Sequence, residues 1–156
     1  MSSTDELRSG DMNDLAALVA NDHAYIGQVL TEAQRPTDTP GVRRELVQQV
    51  VSAWATHSAA ERLVLYSEAA AAVGAEPVER ALRIQDALDR LMTDVRGDAT
   101  DEQLAAIGQL LDDHIELVQR GLLDGLRDRA PARLAPMAAQ WAEAVEAASG
   151  LMKPAD

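Results

Sequence analysis

The sequence contains no cysteine and no phenylalanine, and aromatic residues make up only 3% of its 156 residues. The absence of cysteine excludes disulfide bonds, thiolate metal ligands and a cysteine nucleophile, so any metal site must use nitrogen and oxygen ligands. The shortage of aromatic residues disfavours β-sheets, which are enriched in aromatic and β-branched side chains. Alanine and leucine dominate instead, and both favour helices. The composition therefore predicts an all-α protein with an aliphatic core.

Positive charge is also scarce, since 26 acidic residues outnumber 14 basic ones and give a formal net charge of -12. The arginines are scattered among acidic residues and form no basic stripe, so nucleic acids and anionic membranes are not expected partners. No apolar run approaches the roughly 20 residues that span a bilayer, and the N-terminus MSSTDELRSGD lacks the basic and apolar segments of a secretory signal. We therefore expect a cytoplasmic protein that binds neither nucleic acid nor membranes.

Four helix-breaking stretches divide the chain: RPTDTPG, VGAEP, RGDATD and RAP. The segments between them predict five helices. Pro77 and Pro131 are expected in the first turns of the third and fifth helices, and Thr100 is expected as the N-cap of the fourth. The predicted helices cover residues 11–34, 42–72, 77–95, 101–127 and 131–149. Because the first four are long, amphipathic and joined by short loops, they predict an up-down-up-down four-helix bundle.

The predicted organisation has four parts along the chain. A flexible N-terminus (1–10) precedes the bundle (11–128), an additional C-terminal helix (129–149) packs along its outside or end, and a short tail (150–156) follows. The C-terminal helix has an apolar stripe that includes Met137 and Trp141, which predicts packing on the bundle or a dimer contact. A monomer and a homodimer are both compatible with this stripe.

Each bundle helix carries a polar side chain on an otherwise apolar face, as judged by spacings of three, four and seven residues. A buried carboxylate is costly without a cation or hydrogen-bond partners, so these side chains indicate either a metal site or a hydrogen-bonded polar layer. Tyr25 and Tyr66 lie off these faces, and Tyr66 falls on the opposite side of its helix from His57, which predicts a packing role. The inward polar residues are His23, His57, Glu61, Gln85, Asp89 and His114.

The motifs NDHAYI, HSAAE and DDHIEL give the order His, His-x-x-x-Glu and His along the first, second and fourth helices. This order resembles that of the hemerythrin-like, or HHE, domain family over about residues 13–128. The family pattern has a His on the first helix, His-x-x-x-Glu on the second, a His on the third, and His-x-x-x-Glu or Asp on the fourth, which together hold two oxo-bridged irons. The resemblance implies that His23, His57, Glu61 and His114 are metal ligands.

Two positions depart from the family pattern. Gln85 stands where the third-helix His is expected, and Val118 stands where the fourth-helix carboxylate is expected. Three outcomes follow: one metal held by the three histidines and Glu61, an unusual two-metal site that also uses Gln85 and Asp89, or a degenerate bundle without metal. Nitrogen and oxygen ligands of this kind suit iron, zinc or manganese, and affinity alone does not choose among them.

Two hypotheses for the function result. In the first, the chain is a cytoplasmic bacterial non-haem metal protein, with one or two iron ions, that binds or activates a small ligand such as O2, NO or peroxide, with or without oxidative catalysis. In the second, the bundle has lost its metal and is a small-ligand or partner-binding protein, or an enzyme that uses His and Glu as general acid and base. Chelation distinguishes them, because removing metal changes stability or activity only in the first.

Overall fold

The computed structural model describes residues 14–39 and 41–152, with side chains described as far as Gly150. All regular elements within these residues are helical, which agrees with the predicted all-α class. The predicted flexible N-terminus, the start of the first predicted helix at residues 11–13 and the last four residues of the tail lie outside the described part. The elements are α1 (Leu15–Gln34), α2 (Val42–Ala60), a first π-helical segment (Glu61–Leu65), α3 (Tyr66–Val73), α4 (Ala75–Asp94), α5 (Asp101–Glu116), a second π-helical segment (Leu117–Leu123), α6 (Asp124–Arg129), a 3-10 turn (Pro131–Arg133) and α7 (Leu134–Met152).

Local signals in the sequence explain where the helices begin. Thr100 forms a capping box with Gln103 at the start of α5, which confirms the predicted N-cap. Gly74 separates α3 from α4 with a φ of 94°, a conformation that favours glycine. Because this glycine marks the boundary, α4 begins two residues before the predicted start, and Pro77 lies within its first turn, where the missing N–H group is tolerated.

The helices form the predicted four-helix bundle. Helix α1 packs against α2 and α5, and α4 packs against α2, α3 and α5. Helix α7 packs on α1, α2 and the first π-helical segment, so it covers one side of the bundle as an additional C-terminal helix. None of the helices in the described part of the chain is long and apolar enough to cross a membrane.

The apolar core consists of two clusters on either side of a buried polar layer. One cluster includes Val19, Ala60, Ala81 and Val118, and the other includes Ile26, Trp54, Leu88 and Leu111. On each bundle helix the buried polar residues lie between members of the two clusters, so they occupy the same level of the bundle. Apart from Ser58, the buried polar residues of the described chain form this layer: His23, His57, Glu61, Gln85 and His114.

Candidate metal centre

Four side chains of the polar layer converge on one point. His23 comes from α1, His57 from the last turn of α2, Glu61 from the start of the first π-helical segment, and His114 from α5. Each offers one ligand atom, and these atoms all lie within 4.8 Å of one another. All four residues are 2% exposed or less. The structure therefore brings together the four residues that the sequence predicts as metal ligands.

Glu61 is at the centre of the contacts within this cluster. Its Oε1 atom lies 2.9 Å from His57 Nε2 and 2.9 Å from His114 Nε2. The contact with His114 has hydrogen-bond geometry, whereas the contact with His57 does not. Glu61 Oε2 and His23 Nε2 are buried without a hydrogen-bond partner in the described residues. Buried polar atoms are normally paired, so this set of unpaired nitrogen and oxygen atoms fits a bound cation.

The outward-facing nitrogens of two histidines have partners of the kind that metal-binding histidines use. His57 Nδ1 lies 3.2 Å from Oδ2 of Asp22 on α1. His23 Nδ1 lies 3.4 Å from the amide nitrogen Nε2 of Gln119 in the second π-helical segment. If the amide is turned so that its oxygen faces the ring, both histidines donate from Nδ1 and keep the Nε2 lone pair for a metal. Such outer contacts fix the tautomer and orientation of ligand imidazoles.

The side chains at the cluster form their own pairs of opposite charges. Burial disfavours the charged form of His57, but Glu61 and Asp22 outweigh burial and raise the pKa of His57 to about 9. Burial likewise opposes ionisation of Glu61, but His57 and His114 outweigh it and lower the pKa of Glu61 to about 2. Burial and the positive charge of the neighbouring His57 both disfavour protonation of His23 and lower its pKa to about 3, so the His23 ring is neutral. A metal ion would replace the imidazolium proton as the positive charge that compensates Glu61.

Gln85 and Asp89, the other predicted site residues, are placed differently from the four. Gln85 is buried in the polar layer, where its Nε2 donates to the backbone oxygen of Ser58 at 3.3 Å and its Oε1 has no partner in the described residues. Asp89 is 43% exposed at the edge of the bundle. Its oxygens accept hydrogen bonds from Trp54 Nε1 at 2.7 Å and from Arg62 at 3.0 Å. Asp89 therefore holds Trp54, and this geometry does not favour a second metal on Asp89.

The helices that carry His57 and His114 both change from α-helix to π-helix beside the cluster. Glu61 begins the first π-helical segment, and the second begins three residues after His114. The backbone N–H of Tyr66 donates to the backbone oxygen of Glu61, so the two residues are joined by a single wide turn. In an α-helix a residue five positions further on points about 140° away. A π turn brings it back towards the same side, and such turns are frequent at functional sites.

Tyr66 shows the consequence of this turn. The α-helical pattern predicts it on the opposite side of the helix from His57, with a packing role. It is buried in the apolar cluster, which agrees with packing, but its hydroxyl has no partner in the described residues. Burial and then the charge of Glu61 raise its pKa well above the usual value, so the hydroxyl stays protonated next to the cluster. Tyr25, in contrast, is 52% exposed.

Sequence reasoning missed three residues that surround the cluster: Asp22, Gln119 and Trp141. The ring centroid of Trp141 in α7 lies 5.3 Å from that of His57, whereas the sequence predicts packing on the bundle or a dimer contact for this residue. Asp22 directly precedes His23, but the about 100° turn per residue directs it to His57 rather than to the interior. The side-chain partners of a ligand can be identified only once the neighbouring helix is in place.

The comparisons with known proteins identify one family. A family model described as the hemerythrin HHE cation binding domain matches residues 14–126. The match spans all four clustered residues together with Gln85 and Asp89, and it ends before α7. No curated protein and no solved structure gave a significant match.

Proposed function

Because the chain belongs to the hemerythrin HHE cation-binding family, we propose that it is a non-haem metal protein in which His23, His57, Glu61 and His114 bind a single metal ion. The observation that carries this proposal is the convergence of four ligand atoms within 4.8 Å in a fully buried layer. A carboxylate in such a position is stable only with compensating positive charge, which a divalent cation provides.

The proposal of one ion rather than two rests on charge. Glu61 is the only carboxylate in the described cluster. Val118, at the position of the family's fourth-helix carboxylate, is apolar, and the carboxylate of Asp89 is held by hydrogen bonds from Trp54 and Arg62. One divalent ion with one carboxylate leaves a single positive charge in the interior, whereas two ions would leave three. Charge buried without compensation is strongly destabilising.

The donor set suits iron, with zinc and manganese as competitors. Bound iron would supply a redox-active centre for a small ligand such as O2, NO or peroxide. The cytoplasmic location expected from the sequence would provide the reduced metal. The chain itself fixes the imidazoles through Asp22 and Gln119, and the two apolar clusters exclude water from the layer.

Two further groups support a role in binding a small ligand. The Tyr66 hydroxyl and Gln85 Oε1 are buried and have no partner in the described residues. Gln85 belongs to the polar layer, and the charge of Glu61 acts on the Tyr66 hydroxyl. An unsatisfied buried polar atom costs free energy, so both are available to hydrogen-bond a ligand. Tyr66 can donate through its hydroxyl hydrogen, while Gln85 can accept through its amide oxygen.

Nitric oxide binding to the iron(II)-loaded protein tests this proposal. Metal-free protein is loaded anaerobically with iron(II), titrated with NO and followed by absorption and electron paramagnetic resonance. We expect a saturable spectral change at one NO per iron. The His57→Ala variant should lose both the iron and the spectral change, whereas Glu79→Gln, an exposed carboxylate on α4, should keep both.

Other outcomes would separate the alternatives. Iron that binds without responding to NO would indicate a structural metal with no accessible position. Protein that is folded but takes up no metal would contradict the proposal. It would support a metal-free bundle in which the Glu61–His57 and Glu61–His114 contacts serve a general acid–base enzyme or a ligand pocket.

A further inference from the structure

A groove of about 710 Å³ opens on the surface beside the cluster, between α1, α2 and α7. Helix α2 lines it from Glu45 to His57 with residues three or four positions apart, which is one continuous helix face. The rise along the helix from Glu45 to His57 is about 18 Å. His57 therefore belongs to two sites at once: its Nε2 side faces the cluster, and the residue also lines the groove.

Carboxylates dominate the charge of the groove, because the imidazolium of His57, the one cationic group in the described lining, is compensated by both Glu61 and Asp22. Asp22 and Glu45 are among its lining residues, and the described lining contains no lysine or arginine. The side chain of Asp22 is 37% exposed while it contacts His57 Nδ1. The whole chain also carries a net charge of -12. Such a surface repels anions and raises the local concentration of cations.

The groove also offers an apolar surface next to Asp22. Tyr25 follows Asp22 by three residues on the same face of α1, and the partly buried Ala53 of α2 and Val145 of α7 also line the groove. Tyr25 is one of the few large hydrophobic residues that the described surface exposes, at 52%. An aromatic face beside a carboxylate binds organic cations, because the ring quadrupole and the carboxylate act on the same positive charge.

We propose that this groove binds organic amines with an apolar body. The ammonium group lies at Asp22 and the face of Tyr25, and the apolar body packs on Ala53 and Val145. His57 forms the end of the groove, so the amine would lie next to the proposed metal site. The inference names a substrate class for the proposed function and rests on it for any reaction, but binding of the amine requires no metal.

Three probes with the same apolar body and different charge test the proposal: phenethylamine, phenethyl alcohol and hydrocinnamate. Binding is measured by calorimetry on the metal-free protein, and the three histidine rings are followed by NMR. We expect saturable binding of phenethylamine with a shift of the His57 signals, at least about tenfold weaker binding of phenethyl alcohol, and no binding of hydrocinnamate. The single-histidine variants assign the signals.

Matched variants locate the site. Asp22→Asn should weaken phenethylamine binding about tenfold, and Tyr25→Ala, which leaves the contacts of His57 intact, should weaken it about fivefold. Glu32→Gln, on α1 outside the groove, should have no effect. Equal binding of all three probes, or amine binding that neither groove variant changes, would overturn the proposal. Because these measurements use metal-free protein, their failure is distinct from a failure to bind iron.

Discussion

At the scale of single residues, the candidate site depends on side chains that are not themselves ligands. Asp22 contacts the outer nitrogen of His57, and Gln119 contacts that of His23. These contacts determine which nitrogen of each ring faces the cluster. The ligand set alone therefore does not describe the site.

The Asp22→Asn variant tests this dependence. Loss of the carboxylate removes the hydrogen bond that fixes the His57 tautomer, so we expect the affinity for metal to fall about 10- to 100-fold. Affinity is measured by competition with a chelator of known strength. Asp113→Asn is the matched control, because Asp113 also directly precedes a cluster histidine but contacts Gln109 at the surface. Equal losses in both variants would show that the effect is not specific to His57.

The sequence predicts the four clustered residues because their types and spacings repeat a recognisable pattern. His23, His57, Glu61 and His114 each lie on an apolar helix face, and the structure buries all of them. Asp22 could not be predicted, because its role depends on how α1 and α2 are rotated against each other. Asp89 lies on a predicted inward face, but hydrogen bonds from Trp54 and Arg62 hold it at the edge.

At the scale of elements, the two π-helical segments are the main difference from the predicted fold. The predicted helices 42–72 and 101–127 correspond closely to the observed ones, but each contains a segment with wider turns. The hydrophobic pattern defines a helix and its faces without showing a local change of hydrogen-bond register. Thr100 could be predicted, in contrast, because capping depends on residues close in sequence.

The Tyr66→Phe variant tests the environment that the first π-helical segment creates. A buried hydroxyl without a partner costs about 1–3 kcal/mol, so its removal should leave the free energy of unfolding of the metal-free protein unchanged or raise it by about 1 kcal/mol. Urea denaturation followed by circular dichroism measures this value. Tyr25→Phe, which removes an exposed hydroxyl, serves as the control. A loss of more than about 1 kcal/mol in Tyr66→Phe alone would show that the hydroxyl is satisfied in the folded protein.

At the scale of the whole molecule, the bundle is divided by a polar layer that its apolar clusters enclose. The clusters provide the hydrophobic stabilisation, and the layer between them concentrates five buried polar residues at one level. Helix α7 completes the enclosure, with Trp141 beside His57. A fold of this kind holds a charged centre away from water while the groove beside α7 leaves one side of the site within reach of the surface.

The number of metal ions per chain tests the central claim most directly. Elemental analysis of protein loaded with iron(II) and freed of excess metal should give one ion per wild-type chain, one in Glu79→Gln and none in Glu61→Ala. Two ions per wild-type chain would contradict the charge argument and show that a second ion binds despite Gln85 and Val118. A folded wild-type protein without metal would contradict the proposed function itself.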